Sequence, residues 1–276
     1  MELDNSAAHY VEEKGHLWFF HLKNNSSKRD SGLEGFYGAD RLAEGGVLIA
    51  RDHMGKHGII KRFALFQSYD DVINHIDHWP LKDRNFYEII DGVQKPYFDI
   101  DIPTHLLLPF KNERENLRNR AMKIVYGIAA CIQAAARQWG HRIGDGQLHI
   151  FETCYPVDEA TGYPSKFSFH LVLQGLAFTN HTIMNAFGQD VKDLVYVQTG
   201  DVVANFIDEI WSSGRQFRLF GSSKLGSDAT KMRLLTPDHH WPFLISNQDS
   251  VDFKSTFVTN TAGCIIIDKI NSRSNA

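Results

Sequence analysis

The chain has 276 residues, 43% hydrophobic and 12% aromatic, with a formal charge of −4, enough for a substantial core in one large domain or two fused halves. That balance excludes a global basic field, so a nucleic-acid partner would need a locally basic groove. Cys131, Cys154 and Cys264 are far apart, which argues against a disulfide framework or a structural zinc site and points to a reducing, intracellular compartment. No signal peptide and no apolar run of membrane-spanning length is present, so a soluble protein without a membrane partner is expected.

In chain order, the polar patch Lys23 to Gly35 reads as a loop. "GIIKRFALF" (Gly58 to Phe66) reads as a strand, and Tyr69 to Trp79 as a short helix with Ser68 as N-cap. "FYEII" and "PYFDIDI" read as two strands joined by "DGVQK", whose Asp-Gly signal predicts a hairpin. A long helix follows over about Asn112 to Trp139, with Leu117, Ala121, Ile124, Val125, Ile128, Ile132, Ala135 and Trp139 on one apolar face. Its other face carries Arg114, Arg118, Arg120 and Lys123 and reads as solvated. "QLHIFET" and "FSFHLVLQ" are strands, about Thr182 to Tyr196 is a helix, and "VVANFID" is a short apolar stretch. "HWPFLI" and "GCIIID" near the end are β-like. The order mixes hairpins and crossover helices, an α+β pattern rather than a parallel βαβ array.

The candidate chemistry begins at "KPYFDIDIP". Strand side chains alternate, so Asp99 and Asp101 share one face while Phe98, Ile100 and Ile102 take the other. Their β-carbons lie roughly 7 Å apart. Such a pair suits two hard divalent cations bridging phosphate oxygens; the alternative is a strand end facing water. Asp208 in "NFIDEIW" is the candidate third carboxylate, with Glu209 the weaker choice. In "KFSFH", Lys166, Ser168 and His170 share a face and suit a triphosphate; the alternative is a polar edge strand. "GRQFRLFGSSKLG" sets Arg215, Arg218 and Lys224 among Phe217, Leu219 and Phe220, either as phosphate ligands or as a surface charge cluster. Arg62 sits inside an apolar strand and needs a partner or a ligand.

These segments resemble the catalytic core of the archaeo-eukaryotic primase superfamily, closest to its PrimPol and large-DNA-virus primase branch. The family's D-x-D/E strand is matched by "YFDID", its S-x-H by "KFSFH", its third aspartate by "FID", and its R-x-F-R-L…S-S-K-x-G run by "RQFRLFGSSKLG". "KRFALFQSYDDV" resembles the family's upstream strand and helix. The similarity runs from about Gly58 to Gly226.

The resemblance implies two α/β units, the second RRM-like, with the active site in the cleft between them. It divides the chain into an N-terminal extension (1–57), a catalytic core (58–235) and a β-rich C-terminal extension packed on the core (236–276). It implies primase-polymerase activity on single-stranded DNA template and primer, using dNTP or NTP with Mg²⁺ or Mn²⁺. Asp99, Asp101 and Asp208 would be the catalytic metal ligands. Arg62, Lys166, Ser168, His170, Arg218 and Lys224 would bind the nucleotide. A helicase or a single-strand-binding protein would be a separate partner. The cysteines supply no zinc module, which favours primer extension over de novo priming. Two rivals share part of this pattern: a D-x-D metal-dependent glycosyltransferase, and a single-stranded nucleic-acid-binding module that has lost activity. A D-x-D exonuclease lacks its Y-x-x-x-D partner here.

Overall fold

The computed structural model describes residues 10–22, 32–33, 46–108, 116–142, 147–153, 155–211, 214–225, 233–234 and 252–269. Arg114, Cys154, "HWPFLI" and most of the expected loop at Lys23 to Gly35 lie outside them. The fold is mixed α+β with antiparallel sheets and few helices. In order the elements are β1 (Tyr10–Glu13), β2 (His16–Phe19), β3 (Val47–Gly55), β4 (Gly58–Phe66), α1 (Tyr69–Asp77), β5 (Phe86–Ile90), β6 (Tyr97–Pro103), α2 (Thr104–Leu107) and α3 (Leu117–Gln138). Then come β7 (Leu148–Thr153), β8 (Val157–Asp158), β9 (Tyr163–Pro164), β10 (Lys166–Leu173), β11 (Leu176–Phe178), α4 (His181–Thr199), α5 (Asp201–Ala204), β12 (Ile207–Asp208), β13 (Arg215–Arg218), β14 (Arg233–Leu234) and β15 (Ile265–Ile267). The chain divides into two compact units, Met1–Ile89 with Gln216–Ser227, and Ile90–Arg215 with Asp228–Ala276.

Unit 1 is built on a sheet of order β1-β2-β4-β3-β5-β13. Strands β3 and β4 pair along their whole length. Helix α1 is capped as expected, the Asp71 N–H donating to Ser68 Oγ at 3.2 Å. Its inner residues Val72, His75 and Ile76 are buried, with the His75 ring against Phe66 and Phe86. The helix stops at Asp77, two residues short of the expected Trp79; the Trp79 indole turns back and donates to His75 Nε2 at 3.1 Å. The segment expected as an N-terminal extension supplies β1, β2 and β3 to this sheet.

Unit 2 is built on a sheet of order β12-β6-β10-β7-β14. One face is apolar: Phe98, Ile100, Ile102, Phe169 and Leu171 are buried. Most of the expected stripe of α3 is buried too: Leu117, Ala121, Val125, Ile128, Ile132 and Ala135 are, whereas Ile124 is half-buried and Trp139 follows the last helical residue as its cap. Helix α3 begins at Leu117 with Asn116 as its cap, and the expected earlier turn lies outside the described residues. Helix α4 is capped by Asn180 and runs to Thr199. Trp139, Phe178, Phe187 and Phe98 form a chain of tilted and edge-on rings among these elements, the geometry aromatic pairs prefer.

Two expectations are corrected. The predicted hairpin of β5 and β6 does not form, because the strands belong to different sheets. The connecting residues find other partners: Gln94 exchanges backbone hydrogen bonds with Phe178, and the Lys95 N–H donates to Val258 O. An Asp-Gly signal enforces a hairpin only in a two-residue loop, and this link, 91–96, is longer. The charged face of α3 is not wholly solvated either. Arg118 forks onto Glu152, whose side chain is 1% exposed, with both N–H···O distances 2.8 Å.

The "GCIIID" run forms β15, parallel to β11. The buried Lys95 ammonium donates to Ser255 O and Phe257 O at 2.9 and 3.1 Å, fixing residues just ahead of β15. Among the described residues no helix is long and apolar enough to cross a membrane.

Candidate active site

The polar face of the unit 2 sheet gathers the sequence-predicted acids. In the antiparallel register Asp208 of β12 lies opposite Asp99 of β6. On its other side Asp99 faces His170 of β10, and Asp101 faces Ser168. Directly opposite residues in such a ladder have Cα atoms about 4.5–5.5 Å apart. Asp208 and Asp99 are therefore side by side, and Asp101 stands one strand-step along on the same face. The register is held at this point by the Asp101 N–H donating to Phe206 O at 2.9 Å. Burial enforces it: a slip of one residue would turn Ile100 and Ile207 out of the core and the acids into it.

The second expected motif meets the first directly. Both oxygens of Asp101 are engaged, Oδ2 by the Lys166 ammonium and Oδ1 by the Ser168 hydroxyl. Lys166 also lies 5.4 Å from the Tyr155 ring centre. His170 Nε2 is 3.5 Å from Asp99 Oδ1, and its side chain is only 7% exposed. Residue types alone suggest that Lys166 and Ser168 point at a triphosphate; the structure gives them an acid of the chain itself.

Electrostatics reflect this crowding. Partial burial raises the Asp208 carboxyl above its usual range, and Asp101 raises it further. Lys166, Lys192 and Arg215 pull the other way. For Lys166, burial works against the charged form, but the hydrogen bond and charge of Asp101, with Tyr155 and Asp99, outweigh it and the ammonium is held more tightly than usual. Glu209, the weaker candidate acid, is paired with Lys192 at 2.7 Å.

The remaining predicted bases lie in unit 1. Arg62 is paired across the sheet with Arg51, and both reach Glu13, at 3.6 and 3.0 Å. Arg51 also stacks on Trp79 with its guanidinium carbon 3.4 Å from the ring centre. Arg62 therefore has the partner that its place in an apolar strand demands. Arg51 lies opposite Phe86, whereas the next residue, Tyr87, lies opposite Ala50, so Arg62 and Tyr87 are on opposite faces. Arg218 is near enough to Tyr87 to favour its ionised form, against the larger effects of burial and Asp52. On the Tyr87 side, its hydroxyl donates to Asp52 Oδ2 at 2.7 Å, and Lys61 holds Asp52 Oδ1 at 2.6 Å. Lys224 is exposed at the end of a turn in which Ser222 donates to Leu219 O and Ser223 to Arg84 O.

Sequence reasoning missed Glu13, Asp52 and Tyr87 as partners of the basic residues, because only strand pairing brings them together. Local pattern offered no signal, since Asp52 stands between Arg51 and His53 and Lys61 between Ile60 and Arg62.

No protein-family model matches the chain, and no curated protein matches it. The donor chemistry is that of a hard divalent cation: carboxylate oxygens, with mutual repulsion that a cation would relieve. Among the described residues, no group of three or more His, Cys, Asp or Glu side chains is drawn into a ready cage. Asp99 and Asp208 are the adjacent pair, with Asp101 beside them under the hold of Lys166.

Proposed function

We propose that the chain is a DNA-directed primase-polymerase, a nucleotidyltransferase acting on single-stranded template. The observation that carries this reading is the convergence of Asp99, Asp101 and Asp208 on one sheet face, in register with Ser168 and His170. Three of the motifs that suggested the archaeo-eukaryotic primase core, those carrying Asp99 and Asp101, Ser168 and His170, and Asp208, are thus neighbours in space. That family's two-unit arrangement, with an RRM-like second unit, is part of the same proposal.

In the reaction, a primer 3′-hydroxyl attacks the α-phosphate of an incoming nucleotide and pyrophosphate leaves. Mg²⁺ or Mn²⁺ held by Asp99, Asp101 and Asp208 would acidify the attacking hydroxyl and offset charge on the leaving group. Lys166 and Ser168 fix the orientation of Asp101, and His170 borders Asp99. The resemblance also assigns nucleotide binding to Lys166, Ser168, His170, Arg62, Arg218 and Lys224; alanine at each, read as a rise in KM, tests that assignment.

A second reading is a single-stranded nucleic-acid-binding module without activity. It is favoured by the engagement of both Asp101 oxygens within the chain. One experiment separates the two. The protein is incubated with single-stranded template and labelled nucleotides, with and without primer, in Mg²⁺ and in Mn²⁺. Primer extension that disappears in Asp99→Ala and Asp101→Ala, with unfolding still cooperative, supports the polymerase. Template binding without incorporation supports the inert module. Full activity in both variants would sink the assignment of the site.

A further inference from the structure

The Lys166 ammonium and the Ser168 hydroxyl divide Asp101 between them, taking Oδ2 and Oδ1. The two partners are held differently. Ser168 lies directly opposite Asp101 in the ladder and is buried, at 6% exposed. Lys166 is the first residue of β10, opposite Pro103 at the end of β6, and its side chain is 34% exposed. The serine bond is therefore part of the sheet, whereas the lysine reaches Asp101 with a compact charge on a flexible stem. An ion pair so open to water is a weak one. The Tyr155 ring, 5.4 Å from the ammonium, is within cation–π range and gives it a second contact on leaving Asp101. The Lys166 charge acts on Asp99 and Asp208 as well, so one ammonium offsets repulsion among all three acids.

We propose that Lys166 is a built-in counter-ion, which holds Asp101 until a divalent cation takes its place. The inference rests on the reading of Asp99, Asp101 and Asp208 as metal ligands. A hard cation takes carboxylate oxygen directly, so Lys166 has to surrender Oδ2. Ser168 keeps Oδ1, and with it the orientation that the pair set beforehand. Lys166 is thus a positioning residue that competes with metal for Asp101 and sets how tightly the site holds it. The three acids stay together in the folded sheet before metal enters because the chain supplies a positive charge of its own.

The test titrates the full chain with Mn²⁺ alone and follows the free ion by electron paramagnetic resonance. Lys166→Met should bind Mn²⁺ roughly fivefold more tightly than the parent chain, the upper worth of a part-exposed ion pair. Lys166→Gln should behave alike, and it decides the matter if Lys166→Met unfolds. Lys166→Arg keeps the charge and should keep the parent's affinity. Lys192→Met controls for charge in general, because Lys192 also acts on Asp208 but is paired with Glu209; its affinity should hardly change. Asp101→Asn should erase the gain, so that adding Lys166→Met to it brings no tighter binding. Unchanged or weaker binding in the neutral Lys166 variants would overturn the proposal. So would an equal gain in Lys192→Met, a gain that survives Asp101→Asn, or no Mn²⁺ binding in any variant. Primer extension, measured separately, keeps the two readings apart. A gain in Mn²⁺ affinity without incorporation sustains the counter-ion and removes the polymerase; incorporation without the gain does the reverse.

Discussion

Two helical glycines make opposite predictions for the same substitution. Replacing glycine by alanine in a helix interior contributes up to about 1 kcal/mol from propensity. At Gly127 nothing opposes this, because the new methyl finds open space. At Gly188 the methyl carbon would lie 2.6 Å from three atoms of the Trp211 ring. Ordinary contact requires roughly 1 Å more. The ring has little freedom to retreat: it is 3% exposed, its N–H donates to Tyr97 O at 2.9 Å, and it packs edge-on against Phe98. Overpacking of this kind costs about 1–3 kcal/mol. The propensity gain is common to both variants, so their difference isolates the crowding. Gly127→Ala should be stabilised by up to about 1 kcal/mol, with Gly188→Ala lying about 1–3 kcal/mol below it. Urea unfolding followed by circular dichroism at 222 nm measures both. Equal midpoints for the two variants would refute the reasoning, and in a Trp211→Leu background the crowding penalty of Gly188→Ala should disappear.

Further predictions concern charge. Arg118→Met leaves the buried Glu152 carboxylate without its fork and should cost about 2–3 kcal/mol, which Glu152→Gln in the same background should partly restore; the urea midpoint reports both. Burial pushes His75 and His149 down to about 4, so the unfolded chain binds more protons between that value and the ordinary 6.5. Their contribution, up to about 3 kcal/mol each, is therefore complete above pH 6.5 and lost as pH falls towards 4. Unfolding midpoints at pH 7 and pH 5 should differ in that direction, and His75→Gln should flatten the dependence; equal midpoints in the parent chain contradict the account. Lys166→Met removes a charge that lowers the Asp208 carboxyl, so its titration, followed by carboxyl ¹³C NMR, should move to higher pH. An unchanged titration would show that the two groups do not interact.

The sequence by itself determined what local periodicity controls. It placed Asp99 and Asp101 on one strand face, aligned Lys166, Ser168 and His170, and marked the buried stripe of α3 and the Ser68 cap, because side-chain direction follows from strand and helix geometry alone. Tertiary structure decided everything that depends on pairing. It set Asp208 opposite Asp99 and brought Lys166 onto Asp101. It assigned β5 and β6 to separate sheets, despite a turn signal that suggested a hairpin. It also gave Arg62 to Glu13. Register is chosen by which apolar residues leave water together, and those residues are far apart in the chain. The partners of a charged side chain are settled by that choice, beyond the reach of any local pattern.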